Sequence, residues 1–149
     1  VPSVGDDVNQ AGRSVAVDLP RVDFSHWVLA NLSVTVTEIP AGHFSHEVTA
    51  RGKVASGPFN TIQGLNDYTG WFAGDEAMRG DYHGYDGPCP PWNDERMHHY
   101  HFTVYALDIA QLNLPDRFTR ADLIDAMQGH VLDSATLTGR YTLNPAVAY

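Results

Sequence analysis

The densest run of side chains able to do chemistry is Met97-His98-His99-Tyr100-His101-Phe102-Thr103-Val104-Tyr105. Imidazoles change charge near neutral pH and phenols both donate and accept hydrogen bonds, so such a run can bind an anion, hold a metal or move a proton. Its aromatic and β-branched residues read as a strand, and the strand period of two sorts the side chains onto two faces. His98, Tyr100, Phe102 and Val104 share one face; His99, His101, Thr103 and Tyr105 share the other. Two histidines so spaced on a strand can chelate zinc, but a site needs further ligands. None has a sequence-fixed place beside His99 and His101, which are expected to be a solvent-facing polar pair without a metal.

The face of His98 and Tyr100 follows closely on Gly84-Tyr-Asp-Gly-Pro-Cys-Pro-Pro91. Prolines stiffen such a loop, and Gly87 lets its backbone approach a ligand closely. A rigid loop beside two hydrogen-bonding side chains would make a preformed binding site. The competing reading is that His98 and Tyr100 are satisfied core residues, and residue chemistry alone leaves the two level. The alternative function is an enzyme, a hydrolase or another using the His and Tyr groups as general acid and base. No Gly-x-Ser-x-Gly elbow occurs, and Cys89 sits between prolines with no neighbouring cation to activate it. No catalytic residue is therefore assigned.

The elements that must position these groups are mostly strands. His26-Trp-Val-Leu-Ala-Asn-Leu32 is a near-continuous apolar run of strand length, and Val34-Thr-Val-Thr-Glu-Ile39 alternates until Pro40. From Ala41 to Met97 the chain is rich in Gly, Pro, Asn and Asp, yet it carries Tyr68, Trp71, Phe72, Tyr82, Tyr85 and Trp92. Disordered segments are poor in aromatics, so a packed, loop-rich lobe is expected. Thr119-Arg-Ala-Asp122 has the form of a capping box, with Leu123, Ile124 and Met127 at helical spacing and Gly129 as the stop. The spacing predicts a peripheral helix over 119–128. Ser134 to Leu143 alternates as a strand.

A chain of 149 residues fits one domain, 1–149. Eighteen acidic residues against nine Lys and Arg give a net charge of -9, which works against phosphate backbones and anionic lipid surfaces; nucleic acid is excluded as a partner. No apolar run reaches the ~20 residues of a membrane span, so no stable membrane insertion is expected. The single cysteine, Cys89, permits no internal disulfide and favours a cytoplasmic location.

The string Tyr85-Asp-Gly-Pro-Cys-Pro-Pro91, followed by His98-His-Tyr100 and Phe102-Thr-Val-Tyr-Ala-Leu-Asp108, resembles the signature of the phosphatidylethanolamine-binding protein family in its bacterial, Raf-kinase-inhibitor-like branch. Phe24-Ser-His-Trp-Val-Leu-Ala-Asn31, Gly64-Leu-Asn-Asp-Tyr68 and Gly129-His-Val-Leu-Asp-Ser-Ala-Thr-Leu-Thr-Gly-Arg-Tyr141 resemble further family stretches, in family order. Phe24 stands where relatives often carry tryptophan, and Thr69 to His83 is longer than the corresponding loop of the shortest bacterial relatives.

The resemblance implies a mostly β fold: a large antiparallel sheet packed with a smaller sheet and a peripheral C-terminal helix. It implies a pocket for phosphate-like anions or phosphorylated headgroups, lined by His26, His98 and Tyr100 and rimmed by the Gly87-Pro88 backbone. Val1-Pro2 resembles the tail of the family's Asp-Pro-Asp motif, so the N-terminal strands and one pocket wall are expected to lie outside this chain. The expected function is small-anion or phosphorylated-ligand binding, regulatory in some settings, with no cofactor. A homodimer or a protein target would be compatible with it. Affinity is expected to rise as pH falls from about 8 toward 6, as imidazoles gain protons.

Overall fold

A computed structural model of the chain describes Val1, Pro2 and residues 5–147. In chain order it forms β1 (Leu29–Ala30), a single 3-10 turn (Pro58–Asn60), β2 (Ile62–Gln63), α1 (Tyr68–Trp71), β3 (His98–Leu107), α2 (Arg120–Met127) and β4 (Val131–Tyr141). β1 pairs antiparallel with β2, with Leu29 opposite Gln63 and Ala30 opposite Ile62, and β3 pairs with β4. The β-rich class implied by the resemblance thus holds, carried by two small antiparallel sheets and short helices. The chain divides into two compact units of interleaved segments. The first comprises Val1–Phe24, Pro88–Val104 and Ser134–Tyr149, and the second Ser25–Gly87 and Tyr105–Asp133.

In the second unit the apolar run after His26 does what its composition dictates: Val28 and Ala30 are buried with Phe118, and Ile62, Leu114 and Leu123 pack around them. Only Leu29–Ala30 pairs as a strand. The strand expected over Val34 to Ile39 does not form, and Val34 is 96% exposed. Ser33 explains this locally: its hydroxyl accepts the Thr35 N–H at 3.2 Å and its carbonyl the Val36 N–H at 3.0 Å. A short polar side chain has offered the backbone a turn in place of a ladder.

The aromatic lobe is packed as expected. Trp27 lies 4.9 Å from Phe44 and 5.8 Å from Tyr85 between ring centroids, and Tyr68, Phe72 and Tyr82 form a second group. α2 begins at the predicted capping box, in which the Thr119 hydroxyl accepts the Asp122 N–H while the Asp122 carboxylate accepts the Thr119 N–H at 2.8 Å. The helix ends at Gln128, where Gly129 takes φ 80° to turn the chain toward β4.

In the first unit the N-terminal loop is clasped to the segment after the prolines. Asn93 donates through its amide to the carbonyls of Asp7 and Arg13 at 2.7 and 3.1 Å, and its Oδ1 accepts the Asn9 N–H at 2.9 Å. Val15, 1% exposed, exchanges backbone bonds with Asn93 and Glu95, both at 3.0 Å. The period of two on β3 is visible in the cross-strand bonds: His101 Nδ1 meets Thr138 Oγ1 at 2.8 Å and Thr103 Oγ1 meets Thr136 Oγ1 at 2.9 Å, both on one face. On the other face Tyr100 is buried, while Val104 is 60% and Leu137 72% exposed.

Candidate functional site

The site is built from Asp94 outward. Two prolines stiffen the approach, the Asp94 N–H closes a turn onto the Pro91 carbonyl at 3.2 Å, and Asn144 donates to the Asp94 carbonyl at 2.9 Å. This backbone leaves the Asp94 side chain 1% exposed. A buried carboxylate must be paired and hydrogen-bonded to stay charged. Asp94 is saturated: Oδ2 accepts from Arg21 Nη1 and from His98 Nε2 at 2.7 Å, and Oδ1 accepts from Arg21 Nη2 and the Arg96 N–H, both at 3.0 Å. Four donors fill the lone-pair sites a carboxylate has.

Arg21 is itself held in place. Its Nη2 also donates to the Ala16 carbonyl at 2.9 Å, and the strand-like bridge between Pro2 and Arg21 is closed by reciprocal bonds of Val1 and Val22 at 2.9 Å. Burial alone would raise the Asp94 pKa, but the bonds from Arg21, His98 and the Arg96 N–H outweigh it and hold the carboxyl below its ordinary range. For His98 burial is the larger effect and pulls the imidazole below its ordinary value. Asp94 pulls the other way, while the Val1 amino group and Arg21 add to the lowering.

His98 and Tyr100 come together as the strand period requires, on the same face of β3 with ring centroids 6.4 Å apart and planes 29° from parallel. His99 and His101 occupy the opposite face, where both are exposed. Pro88 lies in the first unit and is exposed.

His26 and Gly87 belong to the second unit. His26 sits edge-on to Tyr68 at 5.3 Å. Gly87 takes φ 90°, a conformation L side chains rarely adopt, at the end of a loop that Lys53 anchors. The Lys53 ammonium donates to the Tyr85 carbonyl at 2.6 Å and pairs with the Asp86 carboxylate at 2.7 Å. A cavity of about 410 Å³ in this unit is lined by His43, Phe44, Lys53, Val54, Pro58 and Gln63 among others, and by none of the five expected site residues.

Sequence reasoning missed Arg21, Asp94 and Lys53. Asp94, four residues before His98, offered a weak signal. Arg21 lies 73 residues from Asp94 and offered none.

Comparison with known proteins decides the family. The model of the phosphatidylethanolamine-binding protein family matches residues 9–142. The chain belongs to that family. Among its relatives are UPF0098 proteins of Pyrococcus horikoshii, 40% identical over 83% of this chain and 52% of their own, and of Chlamydia pneumoniae, 32% identical over 91% of this chain and 77% of their own. This family member spans about half the length of the first curated relatives it matches, 52% and 58% of the two Pyrococcus proteins. A Chlamydia trachomatis protein solved as a phosphatidylethanolamine-binding protein homolog aligns over 54% of this chain and 42% of its own, at 34% identity and a TM-score of 0.42. Among the described residues no helix is long and apolar enough to cross a membrane.

Proposed function

We propose that the protein binds a small phosphate-like anion, free or as part of a phosphorylated headgroup, with His98 and Tyr100 as first contacts. The observation that carries this reading is the chain Arg21, Asp94, His98. Two side chains and a backbone N–H converge on one buried carboxylate, and the result is an imidazole fixed in position beside a phenol. Such preorganisation lowers the cost of binding because the contacting groups need not be ordered by the ligand. His26, Gly87 and Pro88 are expected from the sequence resemblance alone, and the proposal does not rest on them.

The reading is tested by adding inorganic phosphate to uniformly 15N-labelled protein. Resonances of His98 and Tyr100 should shift saturably while those of His101 and Thr138 do not. Uniform small shifts over the surface, or none at His98, would refute it.

The Asp94–His98 pair also favours a second reading, because an imidazole oriented by a carboxylate is the general-base half of many hydrolytic sites. Turnover of phosphoesters by wild type, abolished in His98→Ala, would select that reading over binding.

A further inference from the structure

A carboxylate held ionised can only accept hydrogen bonds, so whatever touches Asp94 must donate. His98 Nε2, 2.7 Å from Asp94 Oδ2, therefore carries a proton. In neutral imidazole only one ring nitrogen is protonated, which leaves Nδ1 with a lone pair and no N–H. Nδ1 makes no hydrogen bond among the described residues. The charged groups bearing on the ring are Asp94, Arg21 and the Val1 amino group. Arg21 is the piece that keeps Asp94 a pure acceptor, because its two nitrogens engage both carboxylate oxygens.

We infer that Arg21 and Asp94 are positioning residues that lock His98 as the Nε2–H tautomer, so that neutral His98 offers an acceptor at Nδ1 and selects oxyanions that bring their own hydrogen-bond donor. The inference rests on the anion-binding reading above and adds a specificity rule to it. An anion with no donor meets lone pair against lone pair at Nδ1, and it binds only after His98 takes up a proton. An anion that keeps one P–OH, or a phosphorylated headgroup whose ammonium stands in for it, donates to Nδ1 without that step. No bond is made or broken beyond the hydrogen bond.

The test compares anions of one shape at about pH 8, well above the imidazole reference of ~6.5. There inorganic phosphate is chiefly a dianion that keeps one proton, and sulfate is a dianion with none. Wild type should bind phosphate at least about tenfold more tightly than sulfate, the worth of one hydrogen bond to a charged group. In Asp94→Asn the neighbouring amide can donate to Nε2, which lets Nδ1 carry the proton, and the preference should shrink to less than about threefold.

Phosphoethanolamine against methyl phosphate distinguishes the source of the donor, since above a pKa of about 6 neither monoester keeps a P–OH. Tighter binding of phosphoethanolamine indicates a headgroup, and equally weak binding of both indicates free phosphate. Methyl phosphate bound as tightly as inorganic phosphate overturns the rule. Imidazole 15N shifts of wild type, which need no variant to fold, should show a protonated Nε2 and a bare Nδ1 on His98. A protonated Nδ1, or equal affinity for phosphate and sulfate, overturns the tautomer assignment and leaves the anion site standing. Binding of neither anion overturns the site reading and the specificity rule together.

Discussion

His98 Nε2 donates to Asp94 Oδ2 at 2.7 Å, and the same oxygen accepts from Arg21. The imidazole is thereby fixed at one end, by a group whose own charge is neutralised by a guanidinium on a distant part of the chain. Burial then outweighs the attraction of Asp94 and keeps the His98 pKa below the ordinary imidazole value.

The first consequence concerns stability. Because the folded His98 is the weaker base, the unfolded chain binds more protons in the window below about 6.5, and stability rises with pH there. Its contribution is fully present above about 6.5 and is lost as pH falls through the folded value. Urea unfolding of wild type over that window should show this slope, and His98→Asn should flatten it. An unchanged slope in the variant would assign the titration to another group.

Asp94 works in a lower window, since its folded pKa is depressed: its stabilisation is present above the unfolded carboxyl value and is lost as pH falls through the folded one. Asp94→Ala leaves Arg21, whose side chain is 16% exposed, without its partner. Breaking a buried pair from one side costs about 3 to 5 kcal/mol, and equilibrium unfolding should register a loss of that order. A loss under about 1 kcal/mol would place the pair among the surface salt bridges.

The α2 cap should matter to stability and not to binding. Thr119→Ala removes an N-cap hydroxyl and should cost about 1 kcal/mol. Asp122→Ala should destabilise slightly, because the Thr119 backbone and hydroxyl bonds that depress its pKa are lost. Neither change should alter phosphate affinity measured by calorimetry.

The exposed apolar face of the β3–β4 pair gives a prediction of the opposite kind. Val104 and Leu137 are mostly exposed, so Val104→Lys and Leu137→Lys should each change the stability of this chain by less than about 0.5 kcal/mol. A loss of several kcal/mol in thermal or urea unfolding would mean that these side chains are covered in solution.

What was legible in the sequence was local. The period of two placed His98 with Tyr100 and His99 with His101, and the spacing of Thr119 and Asp122 gave the cap of α2. These patterns depend on residues a few positions apart, and tertiary contacts had no reason to override them. The strand expected at Val34 was lost to the Ser33 turn, a competition between side chain and ladder that alternation alone does not reveal. Arg21 and Lys53 escaped notice because their roles rest on partners 73 and about 30 residues away, brought near only by the fold. The identity of His98 as a chemical group was readable; the nitrogen it presents was not, since that is set by Asp94.

Calorimetric titration of inorganic phosphate into wild type, His98→Ala and His99→Ala at about pH 7 tests the central claim most directly. Removing a charge-assisted contact worth ~1.5 kcal/mol or more should weaken binding by about tenfold or more in His98→Ala, while His99→Ala, on the opposite strand face, should match wild type. Equal affinity in all three proteins would contradict the account.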